Sequence, residues 1–172
     1  LSNVLRLWLI VFYYFSRIRH LQITIAFLII AAITIAQGPT FEWAAHAEVN
    51  GMAFGQGIAL DRQGNIHSVG HFHGKVDFDP DSSLFLLNTF DGMDGYIQKL
   101  DIDRNLLWVK QICGPWSQSC GQLKLDSDGN VYVLGHFELT SDFDLGPDTF
   151  NLTAINDEDI FVLKLNPNGN FV

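Results

Sequence analysis

Three histidines and two carboxylates crowd the run GNIHSVGHFHGKVDFDP, from Gly64 to Pro80. In a strand His67, His71 and His73 fall on one face, where imidazoles could converge on a transition metal. The spacing argues against all three sharing one ion: at ~3.3 Å per residue, positions four apart are about 13 Å apart, so only His71 and His73 form a close pair. A histidine packed at a sheet edge and bonded to a backbone carbonyl is the favoured expectation. Asp77 and Asp79 also share a face, and the same DFD recurs at Asp142 and Asp144. Clustered loop carboxylates suit calcium. Asp equally bonds the backbone of a turn that leaves a strand, burying Phe78 or Phe143 between layers, and capping is the favoured reading of both pairs.

Other chemistry is sparse. DSDGN resembles the opening of a calcium-binding EF-hand loop, but Gly129 stands at its fourth place rather than the sixth and no Glu occupies the twelfth. Asn151 begins NLT, a cheap match to a glycosylation acceptor. No Ser-His-Asp order, Gly-rich phosphate loop or basic aromatic patch emerges, so no catalytic, cofactor or metal residue is assigned.

Charge divides the chain. The net charge of the 172 residues is −9, yet Arg6, Arg17 and Arg19 are the only charged residues before position 37, which leaves −12 for residues 37–172. A surface this acidic repels phosphate backbones and argues against nucleic acid as a partner. Residues 1–36 read as an export leader: SRIRH is a basic n-region, LQITIAFLIIAAITIA an apolar h-region, and TIA supplies small residues for cleavage after Ala36. The run Leu21 to Ala36 is shorter than the ~20 residues that span a bilayer comfortably, which favours a cleaved signal over an anchor. An uncleaved anchor stays open, and any membrane association is expected only through this leader. Upstream, residues 1–15 form a second apolar run with no Met at its head, read as an extension beyond the true start. Export makes the pair Cys113 and Cys120 a candidate disulfide, stapling the Trp108 strand to GQLKLD and worth about 2 to 3 kcal/mol for so short a loop.

The candidate residues need elements to hold them, and an internal repeat supplies the plan. Sliding the chain by 65 aligns Trp43 with Trp108, Asp61 with Asp126, and Gly70-His71-Phe72 with Gly135-His136-Phe137. The match continues through DFD, Phe85 with Phe150, Lys99 with Lys164 and Asn105 with Asn170. Segments between the turns are short, alternating and rich in β-branched and aromatic residues, which predicts strands and no helix after Gln37. The first unit gives FEWAAHAE, GIALD, NIHSVGHF and GYIQKLD; the second gives LLWVKQI, GQLKLD, NVYVLGHF and DIFVLKLN, with a looser extended piece across DTFNLTAI. Four turns share a plan: DRQGN, DSDGN, NPNGN and, with Arg104 in the Gly place, DIDRN. Asp or Asn bonds back to the turn and Gly supplies positive φ, so the Arg104 turn is expected to differ or to be the least well formed.

Two hairpins per unit predict an all-β protein with two four-stranded antiparallel blades of a β-propeller, assigned to residues 41–106 and 107–172. WVKQ, GQLKLDSDGNVYVLGHF, DFDLGPDTFNLT and DIFVLKLNPNGNFV resemble the SBBP-type bacterial β-propeller repeat, across nearly all of residues 41–172. AAHAE after Trp43 departs from that pattern, as does the cysteine-bearing loop. The resemblance implies a secreted or cell-surface scaffold that binds a protein or glycan, and brings no shared catalytic residues with it. Since rings need about four to eight blades, further blades of the same chain are the expected neighbours. The rival is an enzyme acting on extracellular polysaccharide, for which His73 and Asp81, both changed in the second unit, are the nearest candidates. A structural spacer is the third reading.

Overall fold

The computed structural model describes residues 13–19, 22, 41–81, 83–89 and 91–172. Most of the expected leader and its cleavage point lie outside the described residues. The chain divides into two units, Leu1–Ala44 and Ala45–Val172. In the first, residues 13–19 are helical, with the Arg17 guanidinium 5.4 Å from the centre of the Tyr13 ring. Among the described residues no helix is long and apolar enough to cross a membrane.

The second unit is all β, as the alternating segments predict. Strands β1 (Glu48–Leu60), β2 (Ile66–Asp77), β4 (Asp94–Leu100) and β5 (Leu106–Ile112) form an antiparallel sheet in that order, with β3 (Leu86–Asn88) added to β2. A second antiparallel sheet orders β6 (Gln118–Leu125), β7 (Val131–Asp142) and β8 (Asn151–Leu165). The described strands therefore divide five and three, rather than four and four. Most of the first unit's expected opening strand is absent: residues 41–47 carry no strand, whereas their repeat equivalents 106–112 are β5. FEWAAHA and LLWVKQI are equivalent in the repeat but share only their Trp, and a strand also needs an edge to bond to. The turn after β4 folds residues 106–112 straight back onto that edge, pairing Lys99 with Trp108 and Tyr96 with Gln111. The Trp108 strand thus belongs to the first sheet, and the sheets run one strand out of phase with the sequence repeat. In the second sheet a bridge joins Leu165 to Phe171, the equivalents of the paired residues Leu100 and Leu106.

Finer features repeat too. The pairing slips between Gly55 and Gly57 in β1 and, 65 residues on, between Cys120 and Gln122 in β6. β3 pairs Asp77 with Leu86, and β8 begins with the equivalent pair Asp142 and Asn151. β8 then runs on without a break, so it combines the roles of β3 and β4. Gly70 and Gly135 sit where the strands and rings come closest: a Cβ on either would overlap the carbonyl oxygen of Phe54 or Ser119 and the ring of Tyr96 or Phe161.

All four turns close alike. Amides of Gly64, Arg104, Gly129 and Gly169 donate to the carbonyls of Asp61, Asp101, Asp126 and Asn166. Side chains at those first positions accept from the amide of the closing Asn at 2.9 to 3.1 Å. Arg104 keeps the turn at φ 74°, beside 84° at Gly64 and 82° at Gly129. The expected departure is not seen; the side-chain cap holds an L-residue in left-handed backbone.

The sheets pack face to face. Val69, Ile97 and Ile112 of the first meet Leu123, Val133, Phe137, Phe161 and Leu163 of the second in one buried cluster, each large side chain contributing about 1.5 to 3 kcal/mol. Phe72, Val76, Phe78, Tyr96 and Val109 form a second cluster on the opposite face of the first sheet. Phe143 is therefore buried between the two sheets as expected, while Phe78 is buried on the face turned away from the second sheet.

Candidate functional site

The most charged ground lies at the turn end of the sheets. Strand register lines up Ala59, His67, Lys99 and Trp108 in one row across the first sheet. Asp61, held in its turn, reaches over that row: its Oδ2 is 3.2 Å from Lys99 Nζ and 3.4 Å from His67 Nε2. Burial works against the Asp61 charge, but hydrogen bonds from Asn65, Lys99 and His67 outweigh it and hold the carboxyl well below the ordinary range. Burial likewise pushes the His67 pKa down, against the hydrogen bond with Asp61. Trp108 stacks edge-on to His67, with centroids 6.0 Å apart, and its Nε1 donates to the Pro167 carbonyl across the sheet boundary. The second sheet's equivalent row reads Lys124, Tyr132 and Lys164, so only the first sheet carries the buried Asp-His-Lys trio.

Beside this trio, between turns 61–64 and 126–129, lies a cavity of about 400 Å3. Arg62, Gln63, Ser127 and Asp128 line it and are exposed, while Asp126 is spent on its own turn and Asp61 on its turn, His67 and Lys99. Such a lining offers donors and acceptors to a hydroxyl-rich or peptide ligand.

A second polar group crosses the sheets at the bulge. His71 Nδ1 stands 3.0 Å from Ser119 Oγ and 3.2 Å from Gln56 Nε2, and Ser119 Oγ is 3.3 Å from Gln56 Oε1. Burial, and then the nearby His136, lowers the His71 pKa. A Ser-His contact resembles a nucleophile with its base. Ser119 is buried, however, and the contact joins β1 and β2 of the first sheet to β6 of the second. His136 faces Glu158 at 3.5 Å on the exposed side of the second sheet.

The histidine run is thus dispersed: His67 bonds Asp61, His71 bonds Gln56 and Ser119, and His73 is exposed. Among the described residues no three His, Cys, Asp or Glu side chains are placed to hold a metal ion. The DFD pairs cap turns. Asp77 Oδ1 accepts from the amides of Asp79 and Phe85, and Asp142 Oδ1 from those of Asp144 and Phe150. Asp79 and Asp144 in turn accept from the amides of Asp81 and Gly146. Asn151 is exposed at the start of β8.

Cys113 and Cys120 are both free thiols, in contrast to the expected disulfide. The reason lies in direction: Cys120 points into the core between the sheets, while Cys113 is exposed just past β5. Near them the sequence reading missed a buried polar cluster. Gln111 Nε2 donates to Asp94 Oδ2, but Asp94 Oδ1, Gln118 Oε1 and Ser141 Oγ are buried without a hydrogen-bond partner among the described residues. Burial pushes the Asp94 carboxyl up to about 6. The available signal was asymmetry, since Gln118 and Ser141 stand where the first unit has Ala53 and Val76.

Comparison with protein-family models, curated proteins and solved structures gives no match.

Proposed function

We propose that residues 41–172 belong to a β-propeller whose neighbouring blades are the two sheets. On this reading the leader exports the module to a secreted or cell-surface location, where it binds a protein or glycan as a scaffold. The observation that carries it is strand phase: β5, from the second sequence unit, completes the sheet of the first, and Phe171 begins the same step beyond β8. A repeat that lends each sheet its outer strand from the next unit links sheets in series, as a ring requires. The reading brings further blades with it, supplied by more of the same chain or by other copies of it. The turn-end cavity beside Asp61, lined by loops that differ between the units, is the ligand position it favours.

Incubation with extracellular polysaccharides and candidate proteins tests the binding role. Retention without new reducing ends is expected; release of reducing ends in proportion to protein would overturn it in favour of the polysaccharide enzyme, and neither outcome would leave a spacer. Strand phase is tested by amide exchange, with β5 expected to be as protected as β4. Free exchange in β5 would remove the basis for neighbouring blades.

A further inference from the structure

The internal repeat supplies a template for an interface that the described residues leave open on both sides. Where the sheets meet, Leu123 and Leu125 of β6 pack toward Val69 and Ile97 of the first sheet. Their equivalents in β1, Ile58 and Leu60, occupy matching register positions opposite Ser68 and Ile66, yet Ile58 is 74% exposed against 6% for Leu123. The other partner is left open in the opposite sense. Val69 and Ile97 are 0% exposed beneath the second sheet, while their equivalents Leu134 and Val162 are 44% and 71% exposed on its far face, beside Ile160 at 78%.

The chain thus displays one half of its own sheet-to-sheet contact at each end: Ile58 and Leu60 in front, Leu134, Ile160 and Val162 behind. Apolar residues this exposed and this clustered mark an interaction surface. Each half is the repeat equivalent of one that packs against its counterpart where the two sheets join inside the chain. We propose that a second copy of this chain docks its front face on the back face of the first, repeating the internal sheet-to-sheet step. The contact is head to tail, and it closes into a ring if the rotation between sheets divides a full turn. The proposal rests on reading the sheets as neighbouring blades.

Sedimentation of the full chain over a wide concentration range tests it. Wild type is expected to associate with rising concentration. Val162→Glu and Ile58→Glu should each raise the midpoint concentration by more than about tenfold, since either buries an unpaired charge in the contact. Both positions are exposed in the single chain, so each variant should keep the wild-type unfolding midpoint when dilute. Ile102→Glu, at an exposed turn residue off both faces, should associate like wild type. Mixing the two interface variants is the decisive arm: each retains the face the other lost, so the mixture should form one-to-one pairs. Monomeric wild type at all concentrations, a mixture that stays monomeric, or an Ile58→Glu variant that still self-associates would overturn the proposal. If wild type is monomeric while β5 remains protected from exchange, the second copy fails and the neighbouring-blade reading stands.

Discussion

Ile97 and Val162 occupy the same place in a 65-residue unit, on the same face of equivalent strands, and one is wholly buried while the other is 71% exposed. Around them the contrast is systematic. His67, Val69 and Ile97 lie under the second sheet; Tyr132, Leu134 and Val162 face away from the first. The strands are alike in pattern, so local sequence sets which residues share a face, and the neighbouring layer sets what that face is worth. The turn end teaches the complementary lesson. Asp61 and Asp126 close their turns with the same bonds, but only Asp61 also binds a buried His and Lys.

Paired substitutions can break this comparison. The largest expected difference is between Ile97→Ala, which opens a cavity between the sheets and costs about 3 kcal/mol, and Val162→Ala, which costs less than about 0.5 kcal/mol in the dilute single chain. Urea unfolding measures both, and equal losses would show that the two faces are equally buried in solution. Asp61→Asn should follow, destabilising more than Asp126→Asn because it leaves Lys99 without its carboxylate. The Asp61 pKa is depressed on folding, so its contribution is full above the ordinary value of 3.8 and fades as pH falls below it. Unfolding midpoints of the two variants across acid pH should therefore diverge from wild type above that value and converge on it below. A difference that persists into strong acid would assign the effect to packing rather than charge.

A smaller effect is expected at the turns. Arg104→Gly relieves left-handed backbone and should stabilise by about 1 kcal/mol, while Gly129→Ala in the equivalent left-handed position of DSDGN should lose a similar amount. No gain from Arg104→Gly would mean that the Arg104 side chain offsets its backbone strain. The smallest perturbation is thiol labelling of the folded, non-reduced protein: Cys113 should react readily and Cys120, whose pKa burial drives up, slowly, with no change in fold. Failure of exposed Cys113 to react until a reductant is added would reinstate the disulfide expected from the sequence.

Much of this was legible beforehand. Period-two alternation exposed the strands, the D/N-x-x-G-N pattern exposed the turns, and DFD was readable as a cap because Asp bonds nearby amides whatever surrounds it. The site was less so. The three histidines share a face by parity, and their spacing already argued against a single site, but only the fold shows that His67 meets Asp61, His71 meets Gln56 and Ser119, and His73 is exposed. Asp61 with Lys99, and Ser119 with His71, are pairs made across strands or sheets, and nothing in the spacing of a single unit announces them. Gln118 and Ser141 break the repeat, standing where the first unit has Ala53 and Val76, but only the packing of the sheets makes them a buried polar cluster.

By itself the sequence determined what is local: where the turns fall, how most of them close, which residues of a strand share a face, and the pattern that repeats every 65 residues. These follow from φ preferences, side-chain period and hydrogen bonds spanning a few positions. The tertiary structure alone decided which edge each strand found. It turned residues 106–112 into β5 and left residues 41–47 without a strand, buried Ile97 and exposed Val162, and pointed Cys120 away from Cys113. Backbone pairing and apolar burial are properties of a partner's surface, and two segments equivalent in the repeat separate when only one of them is given a partner.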